Sequence, residues 1–146
     1  MGIKELFLQK GWAGRTISRA ATIERMNPII RTLNELMQLY IAASDAESKP
    51  AMKQAIEDSL RTLRMDIGKM CEVVFSCGGV AYSGTELETG QFRLGSGQSE
   101  AIAAKEQALR SALEAETSIE HQMRTRAILH NVDINQKTRM EAVRGL

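Results

Sequence analysis

Two stretches of the chain repeat apolar side chains at spacings of three and four residues, and this repeat limits the possible folds more than any other feature. In the first stretch the repeat consists of Met26, Ile30, Leu33, Met37 and Tyr40, widened by Ile29, Leu36 and Ile41. In the second it consists of Ile56, Leu60, Leu63, Ile67, Met70 or Cys71, and Val74. Residues three and four apart lie on one face of an α-helix. The repeat therefore predicts two long helices that each bury one face.

The composition favours an all-α fold of one domain. Of the 146 residues, 43% are hydrophobic and 25% are charged, which is the balance of an ordinary folded domain. The chain contains only three Phe, two Tyr, one Trp and two Pro, whereas β-strands are usually rich in aromatic residues. We therefore expect a single helical-bundle domain over residues 1–146, and a β-sandwich is excluded.

Asn27 and Pro28 interrupt the first helical pattern. Asparagine is a common N-cap, and proline is tolerated at the first helical position because its missing N–H has no partner there. The pair predicts that a helix starts or kinks at Pro28. Residues 1–26 then form an N-terminal arm or a kinked helix.

A glycine-rich segment separates the first two helices from the rest of the chain. Gly78 and Gly79 predict the end of the second helix, because glycine tolerates the left-handed conformation that ends helices. Residues 78–98 follow as a long connection, which we call the crossover segment. Connections of this length tend to be functional or to lie along the surface of the bundle.

Two more helices are predicted after the crossover segment. The third begins near Ser96 or Ser99 and runs through Ala127, residues 130–133 form a break, and a short fourth helix covers residues 134–144. The short connection between the first two helices implies antiparallel neighbours. The predicted fold is therefore an antiparallel four-helix bundle with a long crossover and an N-terminal arm.

Two glutamates of the predicted third helix are candidate metal ligands. An advance of about 100° per residue places Glu116 in the middle of the apolar face and Glu120 about 40° from its centre. A carboxylate that faces a core is costly unless it is paired or bound to a cation. The alternatives are a metal site completed across a symmetric interface, or ion pairs with a neighbouring subunit or with Arg61, Arg64 or Arg124.

The other predicted helices offer no matching carboxylates. On the first, Glu35 falls nearly opposite the apolar face, and on the second Asp66 lies at its edge. The sequence contains no Glu-x-x-His pair, although helical di-iron sites usually contain two. A complete metal site within one chain is therefore not predicted; no cofactor is expected, with iron as the alternative.

The N-terminal arm carries the best indication of a partner. Phe7 and Trp12 are large apolar residues outside the predicted core, and such side chains need to be buried against another surface. The basic residues beside them are Lys4, Lys10, Arg15 and Arg19. The candidate partners are a second copy of the chain, another protein or a membrane surface, and docking of the arm on its own bundle is the remaining alternative. A net charge of +1 gives no general attraction for nucleic acid.

The cysteine content and the N-terminal sequence predict a cytoplasmic protein. Cys71 and Cys77 are too few for a disulfide scaffold. Gln9, Lys10 and Gly11 interrupt the apolar run that a secretory signal needs. No apolar run is long enough to span a bilayer.

The segment CGGVAYSGTELETG, which follows a helix and leads into the crossover, resembles small bacterial ferritin-like domains, and LNELMQLYIAAS is similar to the end of their first helix. The resemblance implies a four-helix bundle with a di-iron site. It places the first-helix carboxylate on Glu35 and the second-helix ligands on or near Arg61 and Lys69, which are cations and cannot bind iron. Glu116 and Glu120 alone could stand for the third-helix ligands. The resemblance therefore implies a bundle that has kept the scaffold and lost the metal.

These observations lead to two functional hypotheses. The first is a non-enzymatic helical-bundle protein that self-associates or binds a protein partner through its N-terminal arm and the crossover segment. The alternative is a di-iron ferritin-like oxidase or iron-handling protein with Glu116 and Glu120 among its ligands.

Overall fold

The structure, a computed structural model, describes residues 16–144, and the regular structure of this range is helical. The long helices are α1 (Arg19–Ala46), α2 (Pro50–Ser76), α3 (Gln98–Glu116) and α4 (Met123–Ala142), and two short 3₁₀ helices lie at Thr89–Phe92 and Gly95–Gly97. The predicted all-α fold is confirmed at this level. No helix within the described range is both long and apolar enough to cross a membrane.

The four helices pack around one apolar core. α1 contacts both α2 and α3, and α4 contacts the same two helices. Both predicted apolar faces point into the core, where the fully buried residues include Met26, Ile30, Leu33, Tyr40, Ile56, Leu63, Met70 and Val74. Burial of each large aliphatic side chain contributes about 1.5–3 kcal/mol. The helical-bundle architecture follows from these two faces.

α1 begins earlier than the sequence predicts. Its first residue is Arg19, and the helix runs through Pro28 without a break. The hydroxyl of Ser18 accepts a hydrogen bond from the backbone N–H of Ala21 at 3.0 Å and caps the helix. The predicted helix start at Pro28 is wrong, because Ser18 supplies a cap upstream and the buried face already includes Met26, which is 0% exposed.

The crossover segment lies along α1. Near the start of α1, Asn27 donates from Nδ2 to the carbonyl of Val80 at 3.0 Å and accepts from the N–H of Tyr82 at 2.9 Å. Near its end, Gln98 donates from Nε2 to the carbonyl of Leu39 at 2.9 Å. Asn27 therefore holds the crossover segment instead of capping a helix.

α2 ends at the predicted glycines. Its last residue is Ser76, and Gly78 has a φ of +82°, which lies in the left-handed region. The N–H of Gly79 donates to the carbonyl of Val74 at 3.0 Å. This hydrogen bond satisfies one of the carbonyls that the end of a helix leaves without an internal partner.

α3 ends at Glu116 and does not continue to Ala127. The hydroxyl of Thr117 donates to the carbonyl of Glu114 at 2.7 Å, and the backbone N–H of Thr117 donates to the same carbonyl at 3.2 Å. Such local hydrogen bonds of threonine compete with the α-helical pattern. The predicted extent of the third helix is therefore wrong at its C-terminal end.

α4 is longer than predicted and has no break at residues 130–133. Val132 is 0% exposed in the core, and Asp133 forms an ion pair with Arg110 of α3. The predicted break is wrong because these contacts with the rest of the bundle hold the segment as helix. The helix begins at Met123, before the predicted residues 134–144.

Candidate functional site

A salt bridge between Glu106 of α3 and Arg139 of α4 lies in the interior of the bundle. Arg139 donates from Nε to Glu106 Oε2 at 2.7 Å and from Nη2 to Oε1 at 2.9 Å, so the contact is bidentate. The side chain of Glu106 is 2% exposed and that of Arg139 is 0% exposed. Charges buried this deeply persist only when they are paired and hydrogen-bonded.

Tyr40 and Gln136 add hydrogen bonds to Glu106. The hydroxyl of Tyr40 donates to Glu106 Oε2 at 2.7 Å, and Gln136 Nε2 donates to the backbone carbonyl of Glu106 at 2.6 Å. Burial, followed by the charge of Glu106, raises the pKa of Tyr40, so the phenol keeps its proton. Burial acts to lower the pKa of Arg139, but the hydrogen bonds and the charge of Glu106, with further contributions from Tyr40 and Asp66, together outweigh burial and raise it.

α2 contributes a buried carboxyl group, that of Asp66. This residue is 4% exposed, and its Oδ1 accepts from Asn135 Nδ2 at 2.8 Å. Burial raises the pKa of Asp66, while the hydrogen bond from Asn135 and the charge of Arg139 oppose the rise. Every helix thus places a polar side chain inside the bundle, and we use the name buried polar cluster for Tyr40, Asp66, Glu106, Gln136 and Arg139.

The buried polar cluster fits a permanent ion pair better than an iron site. Both oxygens of Glu106 bind Arg139, so a cationic side chain already takes the position that a metal ion would need. Asp66 Oδ2, Gln136 Oε1 and Arg139 Nη1 are buried without a hydrogen-bond partner among the described residues. The carboxyl groups of this cluster therefore do not form a di-iron ligand set.

Glu106 and Arg139 were not among the sequence-predicted site residues, although their spacing carries a signal. Glu106 lies between Ile102 and Leu109 at spacings of four and three residues, and all three are buried. This spacing alone predicts an inward-facing carboxyl group. Arg139 could not be matched to it from the sequence, because the two residues lie on different helices and meet only when α3 and α4 pack.

Glu116, a predicted metal ligand, ends α3 in contact with two other groups. Its Oε1 accepts from Arg25 Nε of α1 at 2.8 Å and lies 2.7 Å from Nε2 of His121. The hydrogen bond to Glu116 raises the pKa of Arg25. The ion-pair partner of Glu116 is therefore Arg25, and not one of the arginines that the sequence suggested.

Glu120, the other predicted ligand, lies in the turn between α3 and α4. Its side chain is 43% exposed, and its Oε2 accepts from Arg126 at 3.2 Å. Because α3 ends at Glu116, the two glutamates do not share a helix face as expected. Within residues 16–144, no group of three or more His, Cys, Asp or Glu is arranged to hold a metal ion.

A cavity of about 260 Å³ lies between the end of α3, the following turn and α4. We call it the His121 cavity, and its walls are formed by Leu113, Glu116, Thr117, Ile119, His121, Arg126, Leu129, His130 and Asp133. His121 is only 2% exposed. Its Nδ1 is buried, and no group in the described part of the chain forms a hydrogen bond with it.

Ile17, which precedes α1, contacts the bundle beside this cavity. The N–H of Ile17 donates to the carbonyl of Glu120 at 3.0 Å. Arg124 at the start of α4 pairs with Glu72 near the end of α2 at 3.3 Å. We call this end of the bundle, which comprises the start of α1, the end of α2 and the turn between α3 and α4, the arm end.

Three large apolar residues are exposed at the arm end. Phe75 is 61%, Val80 is 83% and Met123 is 75% exposed. The predicted third helix, which ran through Ala127, included Met123, but α3 ends at Glu116 and Met123 begins α4. Several exposed apolar side chains at one end of a protein favour contact with another surface.

Only one of the predicted partner-binding residues belongs to the described range. Arg19 is the first residue of α1 and is exposed at the arm end. The other predicted residues lie outside the described residues and are Lys4, Phe7, Lys10, Trp12 and Arg15.

Comparison of the chain with protein-family models, curated proteins and solved structures found no match.

Proposed function

We propose that this chain is a non-enzymatic helical-bundle protein that associates with a second copy of itself, or binds another protein, through its N-terminal arm and the crossover segment. The observation that carries the proposal is the exposure of Phe75, Val80 and Met123 at the arm end. Val80 belongs to the crossover segment, and the arm joins the bundle at the same end. Apolar side chains of this size stabilise a protein interface when a partner covers them.

The distribution of charge favours a second copy as the partner. Residues 1–31 carry an excess of four positive charges, whereas residues 32–98 carry an excess of three negative charges. The same chain therefore carries two segments of opposite net charge. Complementary charges of this kind steer two molecules together and set their orientation.

The state of the buried polar cluster supports the non-enzymatic part of the proposal. Glu106 is bound on both oxygens by Arg139, and Tyr40 keeps its proton. A general base or nucleophile must instead reach a substrate atom. These groups are engaged with one another and stabilise the packing of the helices.

We further infer that the helices are antiparallel neighbours in a ferritin-like order. Arg25 joins the start of α1 to Glu116 at the end of α3. Gln98 at the start of α3 joins the end of α1 at Leu39. The crossover segment along α1 supplies the long connection that such a bundle requires.

Light scattering of the full chain beside a chain that lacks residues 1–16 tests the proposed association. We expect the full chain to have a molar mass above that of a monomer and the shortened chain to have the molar mass of a monomer. Phe75→Ser should weaken association in the full chain, because it removes an exposed apolar contact at the arm end. Met65→Ser is the matched control, since Met65 is also on α2 and is 58% exposed but lies away from the arm end.

If the full and shortened chains are both monomeric and equally stable, self-association through the arm is wrong. If Met65→Ser weakens association as much as Phe75→Ser, the contact does not involve the arm end. A full chain that is monomeric while the arm adds stability would point to docking of the arm on its own bundle.

Iron binding stays a prediction from the resemblance, with Glu116 and Glu120 as its named ligands. Metal analysis of protein purified in the presence of iron checks it. The proposed function expects no stoichiometric metal. A stoichiometric iron content that Glu116→Gln abolishes would favour the iron-handling alternative.

A further inference from the structure

Another cavity lies between the middle parts of α2 and α4. Its volume is about 180 Å³, and the residues that line it are Met65, Asp66, Lys69, Ile128, Asn131, Ile134 and Asn135. All of these residues belong to the described range. We call this space the Asp66 cavity.

Asp66 contributes a buried carboxyl oxygen without a donor to the Asp66 cavity. The residue is 4% exposed. Its Oδ1 accepts a hydrogen bond from Asn135, whereas Oδ2 is buried and no donor within residues 16–144 reaches it. A buried polar atom that is left unpaired destabilises a protein. The cavity therefore favours an occupant that donates a hydrogen bond.

The charge of Asp66 also lacks a close counterion. The buried polar cluster contains the carboxyl groups of Asp66 and Glu106 but a single cation, Arg139, and both oxygens of Glu106 bind that cation. Lys69 lines the cavity but is exposed, and the groups that oppose the effect of burial on the pKa of Asp66 are Asn135 and Arg139. When Asp66 is ionised, the cluster therefore contains more negative than positive charge, and buried charges are stable only when they are paired.

The walls of the cavity indicate which cation fits it. Met65, Ile128 and Ile134 are apolar, while the side-chain amides of Asn131 and Asn135 carry oxygens that can accept hydrogen bonds. A bare metal ion needs oxygen ligands on several sides, which apolar walls do not supply. A primary ammonium group donates in several directions, and an alkyl chain attached to it can pack against apolar side chains. The volume of the cavity is about six times the roughly 30 Å³ of one water, so the alkyl chain is short.

We propose that the Asp66 cavity binds a small primary aliphatic amine in its ammonium form. The ammonium group donates a hydrogen bond to Oδ2 of Asp66, and the alkyl chain packs against Met65, Ile128 and Ile134. Burial removes water from the carboxylate, and the ammonium group replaces the stabilisation that this water gives. The site does not include the arm end, so the proposal does not depend on the proposed function.

An NMR titration of the full chain with n-butylammonium chloride tests the site. We expect saturable changes in the chemical shifts of backbone amides around the cavity, at Asp66, Ile128 and Ile134. The neutral alcohol n-butanol has a similar shape and should bind at least about ten-fold more weakly, because hydrogen bonds between charged groups are stronger. Sodium chloride at the same concentrations is the reference for the effect of ionic strength.

Substitutions that change the charge at the cavity test the sign of the ligand. Ile134→Lys adds a cation at an exposed position of the wall and should weaken binding of n-butylammonium at least about ten-fold. Met140→Lys is the matched control, since Met140 is also exposed on α4 but does not line the cavity. Lys69→Gln removes a positive charge from the wall and should tighten binding several-fold.

Asp66→Asn tests the carboxylate itself. It keeps the shape of the side chain but removes the charge, so the preference for n-butylammonium over n-butanol should be lost. If Asp66→Asn does not fold, the opposite effects of Ile134→Lys and Lys69→Gln give the same information, because both positions are exposed.

Four results would overturn the proposal. The absence of saturable shifts, or equal shifts with sodium chloride, means that the cavity does not bind the amine. Equal affinity for n-butanol means that the carboxylate does not select the ligand. Equal weakening by Ile134→Lys and Met140→Lys means that the amine binds elsewhere. Weaker binding in Lys69→Gln means that the cavity favours an anion.

Discussion

Arg139 holds the buried charge of Glu106 in the interior of the bundle. It neutralises Glu106 through two hydrogen bonds at 2.7 and 2.9 Å, away from water. Arg139→Met removes the cation and leaves Glu106 buried without a partner for its charge. We expect the free energy of unfolding to fall by about 3–5 kcal/mol, as measured by urea denaturation followed by circular dichroism.

The matched control for this change removes both charges together. Replacement of a buried ion pair by apolar residues of similar volume is often close to neutral. Glu106→Leu combined with Arg139→Met should therefore be more stable than Arg139→Met alone. A double variant as unstable as the single one would mean that the unpaired charge is not the cause.

At the scale of single residues, the sequence predicts burial better than it predicts partners. Leu33 and Leu63 are fully buried, as their spacing indicates. The pairing of Glu106 with Arg139 is not contained in any spacing, because the two residues lie on different helices and meet only when α3 and α4 pack. The contact of Glu116 with Arg25 is hidden for the same reason.

At the scale of elements, helix interiors follow from the sequence and several helix ends do not. Ser18 and Thr117 set the start of α1 and the end of α3 through hydrogen bonds of their hydroxyl groups. Serine and threonine are frequent throughout the chain, so their presence alone does not single out a boundary. Pro28 is the stronger local indication of a helix start, but α1 runs through it because the residues on both sides pack against the neighbouring helices.

The crossover segment depends on Gly84 for its close approach to α1. Gly84 has a φ of +72°, and a Cβ added to it would lie 2.8 Å from Oδ1 of Asn34. Gly84→Ala should therefore lower the free energy of unfolding by about 1–3 kcal/mol, as measured by urea denaturation.

Gly90→Ala is the control within the same segment. Gly90 has no atom within 4 Å of an added Cβ, and its φ is not positive. We expect it to change stability little. Equal losses from the two substitutions would mean that the approach to Asn34 does not explain the effect of Gly84→Ala, because the lower entropy of the unfolded chain after Gly→Ala acts to stabilise the protein.

At the scale of the whole molecule, salt separates the two forces that could join copies of the chain. Charged surfaces are screened over about 10 Å at 0.1 M salt and about 3 Å at 1 M, whereas apolar contacts persist. Because Phe75, Val80 and Met123 are exposed together at the arm end, we expect association to survive in 1 M sodium chloride. Light scattering at the two salt concentrations measures this.

Complete dissociation at 1 M salt would assign the contact to the charge difference between residues 1–31 and 32–98 instead. Sedimentation of the shortened chain at both concentrations serves as the reference. The sedimentation coefficient of the shortened chain should be the same at both salt concentrations if the arm carries the contact.

The packing of α1 against both α2 and α3 has a consequence for how the protein is made. α2 ends at Ser76 and α3 ends at Glu116, so the ribosome must add about 40 residues after α2 before α1 gains its second neighbour. At about 5–20 residues per second, this takes several seconds. During that time the apolar side of the nascent first two helices faces water, and a cell must keep it from aggregating until α3 has been added.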